Sequence, residues 1–479
     1  MPEAVLAVDL GTTRVKAGVV GLDGELIALA HREYGLVRGA EVGWVEQDAG
    51  QWWAAARAAI QAAASAASGA RVVGICVGGQ GPSIVPVDDR GRPLANALIW
   101  MDRRTEPERH ALGEAVGHEV SPYSSIPKAM WIREHLPDVH ARTRWFLQAW
   151  DHIAFQMTGV AVASSFRGAP VFPAELVSAA GLDPTRFPRP LLMGEVGGTL
   201  REGVARECGL EPGLPVAGGV NDSTAAILGT GIVRKGLGID YGGTSGGLGL
   251  AWDVALGGDG LTAWPLPAPG LFICGGPLAA AGRSFAWLLE TFGYGEGGAR
   301  DAEAEAASVP AGSAGLVFLP YLAGERTPVW DEQARGVLFG LTERHARPHI
   351  ARAVLEGVAF ALRHVADRLR DRGATIDEIR LNGGQGRSAL WARIKADVIG
   401  TAVVRPRVLE GALMGEAILA GVGAGRLEDP IAAAQRLPRM AQRLEPDPAL
   451  APVYAERYAV YRELYPRLRE LMPRAAAGA

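Results

Sequence analysis

The chain has 479 residues, 48% hydrophobic and 21% charged, which is the balance of a globular protein with sizeable cores and excludes disorder over most of its length. Lys and Arg number 48 against 52 Asp and Glu, and the net charge of −4 removes any electrostatic case for nucleic acid or another polyanion as partner. Gly 64 and Pro 31 together stay below low-complexity levels, and the length favours two large domains.

Residues 4–30 read as strand, turn, strand, turn, strand: Val5 to Val8, then DLGTTR, then Val15 to Val20, then Leu22-Asp23-Gly24, then Leu26 to Ala30. The opening MPEAVLAVDLGTT carries Glu3 and Asp9 where a signal peptide needs a basic start and a long apolar run, so a cytoplasmic location is expected. An Ala-rich helix is expected over 48–66 with Asp48 as N-cap. RVVGICV, residues 71–77, is a continuous apolar run typical of a strand buried on both faces. Strands alternating with helices predict an α/β sheet. A helix should start near Ser223, and further helices cover 348–371 and 388–399, the last with Ser388 as N-cap. Cys76, Cys208 and Cys274 form neither CxxC nor a disulfide framework, and no apolar run is long enough for a membrane span. Basic residues are nearly all Arg; the lysines are Lys16, Lys128, Lys235 and Lys395.

The opening recurs mid-chain. Leu237 to Ser245 echoes Leu6 to Thr13 with one extra Gly, which suggests two halves of related fold. The predicted boundary gives domains 1–231 and 232–479.

Four motifs could carry chemistry. In DLGTTRVK a tight turn at Gly11, Thr12 and Thr13 can present N–H groups to phosphate oxygens, Lys16 adds a cation, and Asp9 can hold magnesium through water; an ordinary hairpin is the alternative. GGTSG repeats that turn at Gly243, Thr244 and Ser245, and it also satisfies the G-x-S-x-G nucleophile elbow of hydrolases, with Ser245 as nucleophile. The elbow requires a helix after the serine, whereas LGLAWDV reads as a strand. In GGVNDSTAAILG, Asp222 can serve as a general base toward a hydroxyl, or Asp222 or Asn221 can simply cap the helix. NGGQGRS lies at a strand-to-helix turn where backbone can approach a nucleotide, though G-x-G-x-x-G and the P-loop are both absent. His345 and His349 flank Pro348 and form no HExxH, so metal catalysis is not indicated.

In this order and spacing the motifs resemble the FGGY family of carbohydrate kinases, within the actin/Hsp70/hexokinase-like ATPases. Supporting segments are GWVEQD (43–48) with Trp52 and Trp53, the W-x-D-x-R element at Trp100 to Arg104, Pro127-Lys128 with Trp131, and FLPYLAGERTPVWDEQARGVLFGLT from Phe318 to Thr342, which resembles xylulokinases in particular. The resemblance implies two ribonuclease-H-like α/β domains related by internal duplication, with a cleft between them, the first binding sugar and phosphate and the second phosphate and adenosine. It implies ATP and Mg2+ as cofactors, a small sugar or polyol as substrate, no nucleic-acid or membrane partner, and a homodimer as a possible assembly. By position, Asp222 takes the catalytic-base role, with Asp9 alongside it; Asp9 and Asp222 would hold the magnesium through water. Gly11, Thr12, Thr13 and Lys16 match the first phosphate loop, and Gly243, Thr244 and Ser245 the second. Gly383 and Gly384, with Ser388 nearby, match the adenosine motif, and Gly415 the small-residue helix near the nucleotide. Gln80, Trp100, Asp102, Tyr123 and Asp222 would bind substrate.

The sugar is less defined. Xylulokinases carry Met-His after the glutamine, where this chain has Gly81-Pro82, and glycerol kinases carry Arg-Glu there. That loss should remove a hydrogen-bond partner and open space, unless Arg167 refills the gap. Xylulose, ribulose, a pentitol or an aldonate are the candidates. With an ordinary Asp pKa near 3.9, Asp222 would be ionised at neutral pH. Rival readings are the Ser245 hydrolase and a non-catalytic ATP-dependent binding protein.

Overall fold

The computed structural model describes residues 1–476 except 40, 42, 167–169 and 296; Arg167 therefore lies outside the described residues. Two compact units are present, Met1–Gly229 with Gly411–Leu437, and Thr230–Glu410 with Pro438–Ala479.

In the first unit, β1 (Glu3–Leu10), β2 (Arg14–Gly21) and β3 (Leu26–Glu33) form an antiparallel meander, as the hairpin signals predict. Helix α1 (Ala49–Ala66) starts at Asp48, whose carboxylate accepts from Gly50 N at 2.8 Å. Trp52, Ala56, Ala59, Ile60 and Ala63 recur at helical spacing on its buried face, and small side chains let the helix lie close to the sheet. Strand β4 (Arg71–Gly79) pairs in parallel with β1, so it is buried on both faces. Then come α2 (Glu106–Val116), α3 (Ile126–His135), α4 (Ala149–Thr158), β5 (Val196–Thr199), β6 (Pro215–Ala217) and α5 (Asp222–Gly229). The sheet order is β5-β6-β4-β1-β2-β3.

The second unit repeats this plan. Its sheet runs β9-β10-β8-β7-β11-β12-β13, formed by β7 (Leu237–Asp240), β8 (Gly247–Trp252), β9 (Thr262–Pro265), β10 (Phe272–Pro277), β11 (Glu378–Leu381), β12 (Val403–Pro406) and β13 (Met440–Leu444). β7 pairs antiparallel with β8 and in parallel with β11, as β1 does with β2 and β4. The outer pairs also correspond: β12 is parallel to β11 and antiparallel to β13, as β6 is to β4 and β5. One extra edge strand, β9, is the difference. Strand directions that agree at five successive pairings make the short Gly-Thr echo a duplication of fold. Helix α6 (Arg347–Arg370) supplies the largest core element of this unit, and α7 (Ala389–Ile399) is capped by Ser388, which accepts from Trp391 N at 3.0 Å.

Residues 232–479 are not one compact unit. Helix α8 (Gly411–Gly423) belongs to the first, because glycines let it cross α5 and β4 at backbone distance. A Cβ on Gly415 would lie 2.0 Å from the Ala225 carbonyl oxygen, and one on Gly229 would lie 1.9 Å from that of Gly411. The three cysteines are free and buried. Among the described residues no helix is long and apolar enough to cross a membrane.

The crossing predicts that Gly415→Val, which drives a branched side chain into the Ala225 backbone, costs about 3 kcal/mol or more. Urea unfolding of the intact chain measures this as a lower midpoint.

Candidate active site

Parallel strands direct the chain segments at their carboxyl ends to one edge of the sheet, and ligands of such folds bind there. In the first unit Asp9 stands near the end of β1, with Lys16 opposite on β2 and Gly78 opposite on β4. Lys16 Nζ lies 3.8 Å from Asp9 Oδ2. Gly79 bridges to Asn221, which brings the start of α5 to the same edge.

At the start of α5 the capping residue is Asn221. Asn221 Oδ1 accepts from Thr224 N at 2.8 Å. Asp222 is therefore not the Ncap; its Oδ1 accepts from Ser223 N at 2.7 Å, and the residue stays half-buried. Burial raises its pKa to about 6, assisted by the charge of Asp9 and opposed by the Ser223 hydrogen bonds and by Lys16. The ordinary value near 3.9 expected from the sequence thus does not apply.

Asp9 and Asp222 are hard oxygen donors close enough to repel, a donor set that suits a magnesium ion carrying water and phosphate as its remaining ligands. Among the described residues no cluster of three closely spaced metal-ligand atoms includes them, which fits a water-rich ion rather than an all-protein cage.

A third acid was not singled out from sequence. Glu416, on α8, is fully buried and neither oxygen has a hydrogen-bond partner. Burial, then the charge of Asp9, holds its carboxyl well above the usual range. A Cβ on Gly78 would lie 2.3 Å from Glu416 Oε1, so only glycine fits beside Asp9 on β4.

The Gly11–Thr13 turn is held from three directions. Tyr34 donates its hydroxyl to the Gly11 carbonyl. Gln47 Nε2 donates to the Thr12 carbonyl at 2.6 Å, and Gln80 Nε2 donates to Gln47 Oε1 at 2.6 Å. Trp100 Nε1 donates to Thr12 Oγ1 at 3.0 Å while its ring stays 36% exposed. Thr13 is exposed.

Several residues expected to bind substrate are engaged within the protein. Gln80 is buried and braces the turn through Gln47. The Asp102 side chain has no exposed surface; it accepts from Val45 N at 2.8 Å and pairs with Arg104 at 2.7 Å, so it cannot reach a ligand. Arg104 itself lies over Trp44 at 4.0 Å and Trp131 at 4.8 Å, so GWVEQD, W-x-D-x-R and the Lys128–Trp131 segment form one structural lock. Tyr123 is 56% exposed. The space beside Gly81 is not open, since a Cβ there would meet the Trp150 ring at 3.0 Å. Gly415 is enclosed by α5 and serves a helix crossing rather than a nucleotide.

In the second unit Gly243 and Thr244 are exposed and Ser245 partly so. Strand β8 follows Ser245 after one glycine, so the strand–serine–helix order of a nucleophile elbow is absent. The turn abuts the second glycine motif: a Cβ on Gly242 would lie 1.7 Å from the Asn382 carbonyl oxygen. Gln385 Nε2 donates to the Gly243 carbonyl at 2.9 Å, and Lys395 Nζ bonds both Gln385 Oε1, at 2.8 Å, and the buried Asp240. Gly383 adopts φ +71°, and a Cβ on Gly384 would meet nothing within 4 Å, which leaves open backbone for a flat ligand. The Ser388 hydroxyl is spent on capping α7. Gln385 and Lys395 were missed from sequence. The available signal was lysine scarcity, for a Lys inside an apolar helix of an Arg-rich chain invites a specific partner.

Comparisons with known proteins agree with this architecture. The N-terminal domain model of the FGGY family of carbohydrate kinases matches residues 4–229, and the C-terminal domain model matches 242–424. The chain is 29% identical to a xylulose kinase of Bacillus subtilis (strain 168) over 449 residues, covering 88% of this chain and 89% of that one. It is 32% identical to a glycerol kinase of Geobacter sp. (strain M21) over 464 residues, covering 90% and 92%. The crystal structure of xylulose kinase from Rhodospirillum rubrum superimposes with a TM-score of 0.81 at 32% identity, covering 98% of this chain and 100% of that one.

Removing one partner of the buried Asp240–Lys395 pair leaves an uncompensated charge. Lys395→Met should cost about 3–5 kcal/mol in chemical denaturation, and adding Asp240→Asn should recover part of it.

Proposed function

This chain belongs to the FGGY family of carbohydrate kinases, and from that premise we propose that it transfers the γ-phosphoryl group of ATP to a hydroxyl of a small open-chain sugar or polyol, in the manner of a xylulokinase. The observation that carries the reading is Asp222, a half-buried carboxylate with a pKa near 6, freed from capping and set beside Asp9 and Lys16. A base of that strength is ionised at neutral pH yet accepts a proton more readily than an ordinary carboxylate.

Phosphoryl transfer asks mainly for positioning and charge neutralisation. The substrate hydroxyl hydrogen-bonds Asp222. As its oxygen bonds the γ-phosphorus, the bond from that phosphorus to the bridging oxygen breaks, ADP leaves with the electron pair, and the hydroxyl proton passes to Asp222. Gly11, Thr12, Thr13 and Lys16 hold phosphate oxygens in the first unit. Gly243, Thr244 and Ser245 do so in the second, where Gly383 and Gly384 take the adenosine side. Asp9 and Asp222 would hold Mg2+ through water, and the ion, when bound, offsets phosphate charge. Trp100 supplies the exposed apolar ring for the substrate carbons, and its bond to Thr12 ties that ring to the phosphate turn.

The sugar is an open-chain ketose or polyol without strong preference for D-xylulose. The Met-His of xylulokinases is Gly81-Pro82 here, and the space beside Gly81 is taken by Trp150, whose Nε1 is engaged with Ser164 at 3.0 Å. A pocket lacking a dedicated partner for one hydroxyl forfeits the roughly 10⁴–10⁵-fold discrimination such a partner can supply. In a coupled ADP assay over D-xylulose, ribulose, pentitols and aldonates, kcat/KM for D-xylulose should fall within about a hundredfold of another substrate. A larger preference for D-xylulose makes the protein a plain xylulokinase. ATP consumption dependent on added sugar separates the kinase from a Ser245 hydrolase and from a non-catalytic ATP-binding protein.

Asp222→Asn should lower kcat by roughly 10²–10⁴-fold while ATP binding, followed by calorimetry, survives. Because kcat/KM reports groups of the free enzyme and the base must be ionised, wild-type kcat/KM should fall as pH drops through about 6. An acid limb near pH 4 would contradict the raised value.

A further inference from the structure

Helices α2 and α3 bring together a set of side chains that the kinase reading does not use. Glu108, in the first turn of α2, is only 7% exposed, yet its Oε2 has no hydrogen-bond partner. Glu134 and His135 end α3 and are exposed. One carboxylate oxygen from each glutamate and one ring nitrogen of His135 lie within 4.8 Å of one another. His135 Nδ1 lies 3.1 Å from the Trp131 carbonyl oxygen and donates to it, which leaves Nε2 as the lone-pair nitrogen. A backbone carbonyl on the second ring nitrogen is the usual support of a metal-bound imidazole. The ring is held further by stacking on Trp131, with centroids 4.6 Å apart and planes at 9°. Glu134 is steadied by Arg133 at 2.8 Å.

We propose that Glu108, Glu134 and His135 bind one divalent transition-metal ion of the Zn2+ class, at a site sharing no residue with the Asp9–Asp222 centre. One imidazole and two carboxylates form a zinc-type donor set, whereas Mg2+ and Ca2+ select oxygen ligands. Metal–ligand bonds of about 2 Å require the three atoms to draw closer than 4.8 Å, which the exposed Glu134 side chain achieves by exchanging its surface pairing with Arg133 for the ion and swinging toward the buried Glu108. The ion gives the buried Glu108 carboxylate a partner, and the open coordination position takes water. Its effect on the fold is to clip the start of α2 to the end of α3. The cation opposes the burial that holds the Glu108 carboxyl above its usual range.

Isothermal titration of Zn2+ into the chelator-treated full-length protein tests this directly, without reference to kinase activity. One site per chain is expected, and Zn2+ should raise the melting temperature. His135→Ala and Glu108→Gln should each weaken binding at least about tenfold. His135 is exposed, so His135→Ala keeps the fold and decides the case even where Glu108→Gln lowers stability. The pair His345–His349, with rings 5.4 Å apart, is the competing site. Zn2+ binding that survives His135→Ala, or that is lost in His349→Ala instead, overturns the proposal, as does the absence of binding at about 0.1 mM Zn2+.

Discussion

Three carboxyl groups gathered at one edge of the first sheet set the terms for the chemistry around them. Asp9, Asp222 and Glu416 interact through their charges in a place that water reaches poorly, and neighbouring carboxylates cannot all ionise there at ordinary cost. The molecule resolves this by grading them. Glu416, deepest, has its carboxyl pushed furthest above the usual range. Asp222, partly open, titrates near 6. Asp9 sits beside Lys16 across the β1–β2 ladder. The grading depends on α8 approaching closely, since that helix carries Glu416, and the approach depends in turn on Gly78, Gly229 and Gly415 having no side chain. Backbone packing and acid strength are thus one constraint.

The duplication makes the contrast between the halves informative. Asp240 stands at the end of β7 as Asp9 stands near the end of β1, and each has a lysine. In the first unit the lysine is cross-strand, 3.8 Å away, with its side chain 28% exposed. In the second, Lys395 comes from α7, is buried with Asp240, and has a further bond to Gln385. A buried, bonded pair of this kind has little freedom to meet an ion and instead fixes a loop. One topological position therefore holds a partly open cross-strand ion pair in one unit and a buried pair that supports the Gly242–Ser245 turn in the other.

Much of this was legible in the sequence wherever the signal was local. The hairpin over 4–30, the buried run 71–77, the caps Asp48 and Ser388 and the strand after GGTSG rest on short-range periodicity and capping, and each stands in the structure. What escaped was set by contacts between distant segments. Nothing near residue 411 signals that α8 leaves the second sheet for the first, because its glycines answer to Ala225 and Gly229, far away in sequence. Asp102 carries the residue type of a ligand, but its carboxylate is claimed by Arg104 two positions on and by Val45 N. Gln47 looks like a polar residue in a loop, and only the fold reveals it between Gln80 and Thr12.

The Thr12 neighbourhood shows how position and recognition can be joined. Thr12 accepts from Trp100 through its hydroxyl and from Gln47 through its carbonyl, so its backbone and side chain are both fixed from outside the turn. A turn of partly exposed Gly and Thr would otherwise sample many conformations, and ordering it on ligand binding would cost affinity. Bracing it beforehand moves that cost into folding. The bracing residues Tyr34, Gln47 and Trp100 come from three separate segments of the first unit. A displacement of the Trp100 ring is passed to the Gly11–Thr13 turn by one hydrogen bond, so the two move together.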